Sequence, residues 1–185
     1  MGRTRRLAGT PWHDDDVAAL PQLVELGLTS VVLPKAEDAA DLARVAQAMG
    51  PAGAVWPIIE SAAGLDNAKA IAAAPQVLRV LFGDIDFQAD LGMSCGPDGP
   101  ELYACRMAVV LASRLAGLPA PFDGVTPETQ DMALVQAHAE RALRGGFGGK
   151  LCIHPAQIAA VHAAFTPTAD KLTWARAVLD GFAKA

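Results

Sequence analysis

The stretch AVWPIIESAAGLDNAKAIAAAPQVLRVLFGDID (residues 54–86) decides the fold. It opens with an apolar run, Ala54–Ile59, that ends on an acid, Glu60. An Ala-rich segment of helical period follows near Gly64–Ala73. A second apolar run, Leu78–Phe82, then ends on the polar turn Gly83-Asp84-Ile85-Asp86. Neither run alternates strictly between apolar and polar side chains, so both faces should be buried, as in a parallel sheet. The same rhythm recurs outward in both directions. Ser30–Leu33 and Lys150–Ile153 read as strands, and Pro121–Val125 as a weaker one. Helices are expected near Asp14–Leu26, Glu37–Met49, Tyr103–Ala116, Thr129–Leu143, Ala156–Phe165 and Thr168–Ala183. Thr126-Pro127-Glu128 and Thr166-Pro167 place a capping hydroxyl beside a helix-compatible proline, and Gly117 before Leu118-Pro119 stops a helix.

Repeated βα units leave two α/β architectures, a doubly wound sheet or a (β/α) barrel. The polar residues separate them. Pro34-Lys35, Glu60-Ser61, Gly83–Asp86 and His154-Pro155 each follow a different strand. A barrel does its chemistry around such a carboxyl-terminal rim, whereas a doubly wound sheet concentrates it at one switch point. A barrel is therefore the expectation.

With 185 residues, 52% of them hydrophobic, the chain is long enough for one domain with a sizeable core. Its net charge of -5 supplies no basic field for nucleic acid, and no apolar run approaches the roughly 20 residues that cross a bilayer. The only basic cluster is Arg3, Arg5 and Arg6. Cys95, Cys105 and Cys152 are odd in number and share no metal-ligand spacing, as in reduced thiols of a soluble, cytoplasmic protein.

Glu60 and Asp86 close successive βα units, and neighbouring parallel strands lie about 4.8 Å apart. Two such carboxylates suit a hard cation that takes oxygen ligands, Mg²⁺ above all; equally, each can cap the helix that follows it. Asp84 competes for the second carboxylate position, and Asp90 reads as structural. His154, before Pro155, is expected at the end of the last strand, where it can orient a carboxylate or thioester or simply cap a loop. His13, His138 and His162 read as surface or packing residues and Lys35 as solvated; Arg106, at the start of a long helix, can bind an anion but reads first as a surface residue. Gly145–Lys150 (GGFGGK) is not a phosphate loop: Arg144 stands where the first glycine belongs and Leu151 where Ser or Thr belongs. Those glycines end one helix and turn into the next strand.

Taken together, GTPWHDDD (9–16), VVLPKAED (31–38), PIIESAAGLDNAKAIAAAPQV (57–77), VLFGDIDFQADLG (80–92) and GFGGKLCIHPAQI (146–158) resemble the citrate lyase β-subunit-like branch of the HpcH/HpaI aldolase family. The order of these motifs and the step from Glu60 to Asp86 make the set specific. The resemblance implies a TIM (β/α)8 barrel that makes or breaks a carbon–carbon bond beside a carbonyl, with acyl-CoA thioesters such as citryl-CoA or malyl-CoA, or keto acids, as substrates. It implies that Glu60 and Asp86 hold Mg²⁺, and that Ile153 and His154, with Glu60, contact the substrate. The family's substrate arginine has its place at Thr4, and a one-residue slip brings Arg5 there. The family's first βα units have no counterpart here, so the expectation is an incomplete barrel: a single domain over 1–185, with an altered strand in 1–8 and a C-terminal helix in 166–185. A complementing chain or a homo-oligomer would then cover its edges. Three activities follow from the resemblance: an Mg²⁺-dependent lyase, an inactive remnant, and a thioesterase or aldolase of the same superfamily.

Overall fold

The computed structural model describes residues 13–96 and 99–183. Along the chain they form α1 (His13–Glu25), β1 (Ser30–Leu33), α2 (Ala39–Met49), β2 (Ala54–Ile59), α3 (Ala62–Asp66), α4 (Ala68–Ala72), β3 (Leu81–Phe82) and α5 (Asp84–Leu91). A 3-10 turn at Pro100–Leu102 leads into α6 (Tyr103–Leu115), followed by β4 (Phe122–Asp123), α7 (Met132–Arg144), β5 (Gly149–Lys150), α8 (Gln157–Phe165) and α9 (Ala169–Phe182). The five strands are parallel and lie side by side in chain order, β1-β2-β3-β4-β5. Crossovers of one hand between successive neighbours put the connecting helices on one side of the sheet. A doubly wound sheet would reverse its order at a switch point, and this one does not. The described strands form an arc of a TIM-barrel-type sheet, as the polar strand ends suggest.

Burial follows the same geometry. On β2, Val55, Pro57 and Ile59 are buried, while Ala54, Trp56 and Ile58 on the other face are half-buried. Val32, paired in register with Trp56, is 55% exposed. Two fully buried faces were expected, but burial is complete only on the helix side. A barrel's inner face is covered from across the ring, and five strands make an arc rather than a ring. The helix-side core unites Leu42, Val45 and Met49 of α2, Ile71 of α4 and Val109 of α6 with Val55, Ile59, Val80 and Phe82 of the sheet. Each large aliphatic side chain buried there contributes about 1.5–3 kcal/mol. A smaller cluster, Val135 and Ala139 against Val161 and Ala164, joins α7 to α8.

Three boundaries differ from the sequence reading. The run Leu78–Phe82 counts as strand only at Leu81–Phe82, because its register with β2 slips by one residue: Val77 pairs with Val55, whereas Leu81 pairs with Ile58. The last strand is Gly149–Lys150, not Lys150–Ile153, so Ile153 and His154 lie in a turn beyond it. Residues 84–91 are a helix, opened by Asp84 and Asp86 in its first turn, where carboxylates favour the helix dipole, and closed by Gly92 at φ 65°. At the other end, Thr168 caps α9 through the Lys171 N–H, yet none of the residues of α9 is buried, and Trp174, Leu179 and Phe182 face solvent. Among the described residues no helix is long and apolar enough to cross a membrane.

Candidate functional site

Because Ile59 faces the helices, the next residue, Glu60, turns to the inner side at the carboxyl end of β2. It is only 5% exposed. The chain leaving β1 folds over it: Lys35 adopts φ 49°, and its N–H donates to Glu60 Oε1 at 2.8 Å. Ala36 N–H is bonded to the Ile58 carbonyl at 3.0 Å, which fixes that loop to β2. On the opposite flank lies Gly83, where an added Cβ would stand 2.6 Å from the Glu60 Cβ and also strike its Oε2. No side chain fits there while Glu60 stays. Ser61 caps α3 through Gly64 N–H and donates to Glu37 Oε1 at 2.7 Å, so the turn after Glu60 is held from both sides.

Asp86 stands in the first turn of α5. Burial pushes the Glu60 carboxyl above its usual range; the Lys35 N–H works against this, the Asp86 charge adds to it, and the Lys35 ammonium opposes it. The structure thus brings Glu60 and Asp86 within electrostatic reach of each other. Asp90 does not join them, since its Oδ2 accepts from Ala62 N–H at 2.9 Å and anchors the start of α3.

Asp84 faces a different set of partners, and here the sequence reading needs correction. Arg106, read as a surface residue, is 7% exposed. Its Nε donates to Asp123 Oδ1 at 2.9 Å, its Nη2 to Asp84 Oδ2 at 3.4 Å and its Nη1 to the Gly99 carbonyl at 3.3 Å. Lys150, the last residue of β5, donates to the Gly124 carbonyl at 2.5 Å and lies 3.9 Å from Asp123 Oδ2. Burial pushes the Asp84 carboxyl up, against the attraction of Lys150 and Arg106, and pushes the Lys150 ammonium down, against that of Asp123 and Asp84. Two acids and two bases neutralise one another beneath the ends of β3, β4 and β5. The sequence does carry a signal for this group. A strand-end acid beside a glycine occurs at Gly83-Asp84 and again at Asp123-Gly124.

The Ile153-His154 turn is exposed. His154 Nδ1 accepts from Ala156 N–H at 3.2 Å. The turn is held by Gln157, a residue the sequence reading passed over, which is 1% exposed. Gln157 Oε1 accepts from Ile153 N–H at 2.9 Å, and Nε2 donates to the carbonyls of Thr126 at 2.8 Å and Glu128 at 2.7 Å. The end of β5 stands three strand spacings from that of β2, about 14 Å along the rim. Arg5 lies outside the described residues. Lys35 is half-buried rather than solvated, and His13 is a packed residue at the start of α1. A cavity of about 400 Å³ lies elsewhere, bordered by Tyr103, Met107, Arg144 and Phe147, and neither Glu60 nor Asp86 lines it. Among the described residues no three His, Cys, Asp or Glu side chains form a metal-binding cluster.

With this geometry in hand, the model of the HpcH/HpaI aldolase/citrate lyase family matches residues 7–155. The chain belongs to this family. It is 39% identical over 180 residues to a citrate lyase subunit beta-like protein of Deinococcus radiodurans, covering 95% of this chain and 61% of that protein. To a (3S)-malyl-CoA thioesterase of Cereibacter sphaeroides it is 33% identical over 176 residues, 95% of this chain and 60% of that one. Among solved structures, CitE from Mycobacterium tuberculosis in complex with magnesium, acetoacetate and coenzyme A matches with a TM-score of 0.78 at 33% identity, over 96% of this chain and 65% of that chain. The family and the barrel-type fold expected from the motifs are therefore established. This HpcH/HpaI-family chain spans about 60% of the length of those two curated relatives.

Proposed function

We propose that this chain is the lyase domain, over 1–185, of an Mg²⁺-dependent enzyme that cleaves a carbon–carbon bond of a hydroxy-dicarboxylyl-CoA such as citryl-CoA or malyl-CoA. What supports the reading is that Glu60, directly after β2, and Asp86, in the first turn of α5, lie within electrostatic reach of each other. Their chemistry fits Mg²⁺. Both donors are carboxylates, and Mg²⁺ typically takes one or two carboxylates and leaves its other positions to water and substrate oxygens. The raised Glu60 carboxyl points the same way, since burial and a second acid make an uncompensated pair costly. Bound there, the ion would supply positive charge to polarise the oxygens of the keto-acid half of the substrate.

The rest of the site belongs to the chain's own residues. The Lys35 N–H occupies Glu60 Oε1 and fixes the carboxylate's rotation, leaving Oε2 along the Gly83 backbone. Gln157 steadies the exposed Ile153-His154 turn, and in this reading the turn contacts the acyl-CoA or keto acid from further round the rim. Arg5 is assigned to the substrate carboxylate. In this reading the enzyme works in the cytoplasm, where an exposed unpaired thiol such as Cys152 stays reduced, and assembles as a homo-oligomer or with a complementing chain.

Calorimetric titration of Mg²⁺ in the presence of oxaloacetate or glyoxylate tests the site. Saturable binding is expected in the wild type and its loss in Asp86→Ala; a folded wild type that binds no Mg²⁺ overturns the reading. The similarity to a malyl-CoA thioesterase supports a second activity on the same site, thioester hydrolysis. Products of malyl-CoA separate the two, because the lyase yields acetyl-CoA and glyoxylate whereas hydrolysis yields malate and free CoA.

A further inference from the structure

We infer that Arg106 is a positioning residue that sets the angle at which Asp86 is presented to its ligand. The inference rests on the proposed role of Glu60 and Asp86 in holding Mg²⁺. It starts from a missing cap: α5 begins at Gly83-Asp84, and no side chain caps its first turn. What fixes that turn lies outside the helix. On one side Gly83 is packed against Glu60; on the other, the Asp84 carboxylate rests on Gly124, where an added Cβ would stand 2.6 Å from the Asp84 Cγ. Arg106 closes the second side by bonding Asp84 on α5, Asp123 at the end of β4 and the Gly99 carbonyl. Lys150 holds the Gly124 carbonyl and so keeps the surface under Asp84 in place.

Residues two apart on a helix are rotated about 200° from each other. Asp84 turned into the buried charges therefore aims Asp86 the opposite way, toward Glu60. A ligand constellation works only when held within about 0.5 Å and 10–20°. One planar guanidinium can bond three fixed acceptors at once, and a lysine ammonium on a flexible stem cannot reproduce that fork. Arg106 touches neither Glu60 nor the substrate in this scheme; it acts through Asp84 and the first turn of α5.

The test measures Mg²⁺ affinity and thermal stability together on the full chain. Arg106→Lys keeps the charge and should weaken Mg²⁺ binding about tenfold or more, the usual effect of altering a group that orients a metal ligand. Val135→Ala, in the α7–α8 cluster, should lower the melting temperature and leave the affinity unchanged. Gly124→Ala retains every charge and presses on Asp84 from the other side, so it should weaken Mg²⁺ in the same direction and serves if Arg106→Lys does not fold. Wild-type affinity in a folded Arg106→Lys or Gly124→Ala protein overturns the inference while leaving the Mg²⁺ site standing. So does an equal loss in Val135→Ala, which would make the effect one of stability alone. A wild type without Mg²⁺ binding removes the site and this inference with it.

Discussion

Strands β1 and β2 pair over four residues and bury Val55 and Ile59 beneath α2 and α4, whereas β4 and β5 pair over two residues and end in Asp123 and Lys150, both buried. One half of the arc is held by apolar contact, and the strand ends of the other by a group of buried charges. The difference matters because apolar burial is non-directional and tolerates small changes of shape. A buried ion group is directional, and removing one member strands the others in a low-dielectric interior. The short strands are thus the more brittle part of the molecule, although they contain fewer ladder hydrogen bonds to lose.

The sharpest way to break this comparison is Asp123→Ala. It leaves Arg106 and Lys150 buried with only Asp84 between them, and the expected cost is about 3–5 kcal/mol in urea unfolding. A smaller effect is expected from Ile59→Val on the apolar side, about 0.5–1.5 kcal/mol in the same measurement. If the two substitutions cost the same, the contrast between the halves is gone.

The smallest effect is one of slope. Burial raises the Glu60 carboxyl above 4.5, so the folded chain binds this proton more tightly than the unfolded one. Its contribution to stability is fully present below pH 4.5 and is lost as pH rises through the folded value. Glu60→Gln should flatten that decline as pH rises above 4.5 in metal-free buffer, as read by urea midpoints. A variant that declines as steeply as the wild type would show that Glu60 is not strained by its surroundings.

The same division explains what could be read from the sequence. The bounds Ser30–Leu33 and Ala54–Ile59 agree between sequence and structure, because a run of β-branched and aliphatic residues is a local signal. Glu60 and Asp86 drew notice for a related reason, Glu60 directly following such a run and Asp86 closing the polar turn Gly83–Asp86 after the next one. Arg106 and Lys150 did not, and Asp123 was marked only by the glycine beside it. Arg106 and Lys150 lie 17 to 27 residues from the acids they meet, and a lone arginine early in a helix looks the same whether it faces water or two aspartates. The extent of β5 was misplaced because Leu151–Ile153 is more apolar than Gly149-Lys150, yet the ladder to β4 stops at Lys150. Residues 84–91 concealed a helix behind a turn-like Gly-Asp opening. Gln157 escaped notice since an amide gives no clue to its burial until the loop that it clamps is in place.

The close fit of Glu60 over Gly83, repeated one strand later by Asp84 over Gly124, has an evolutionary consequence. Each acid forbids a side chain at one position of the next strand's end, so the two members of a pair cannot drift independently. A lineage that keeps Glu60 must keep Gly83. One that loses the acid releases the glycine, and a side chain newly acquired at position 83 would then bar the acid's return.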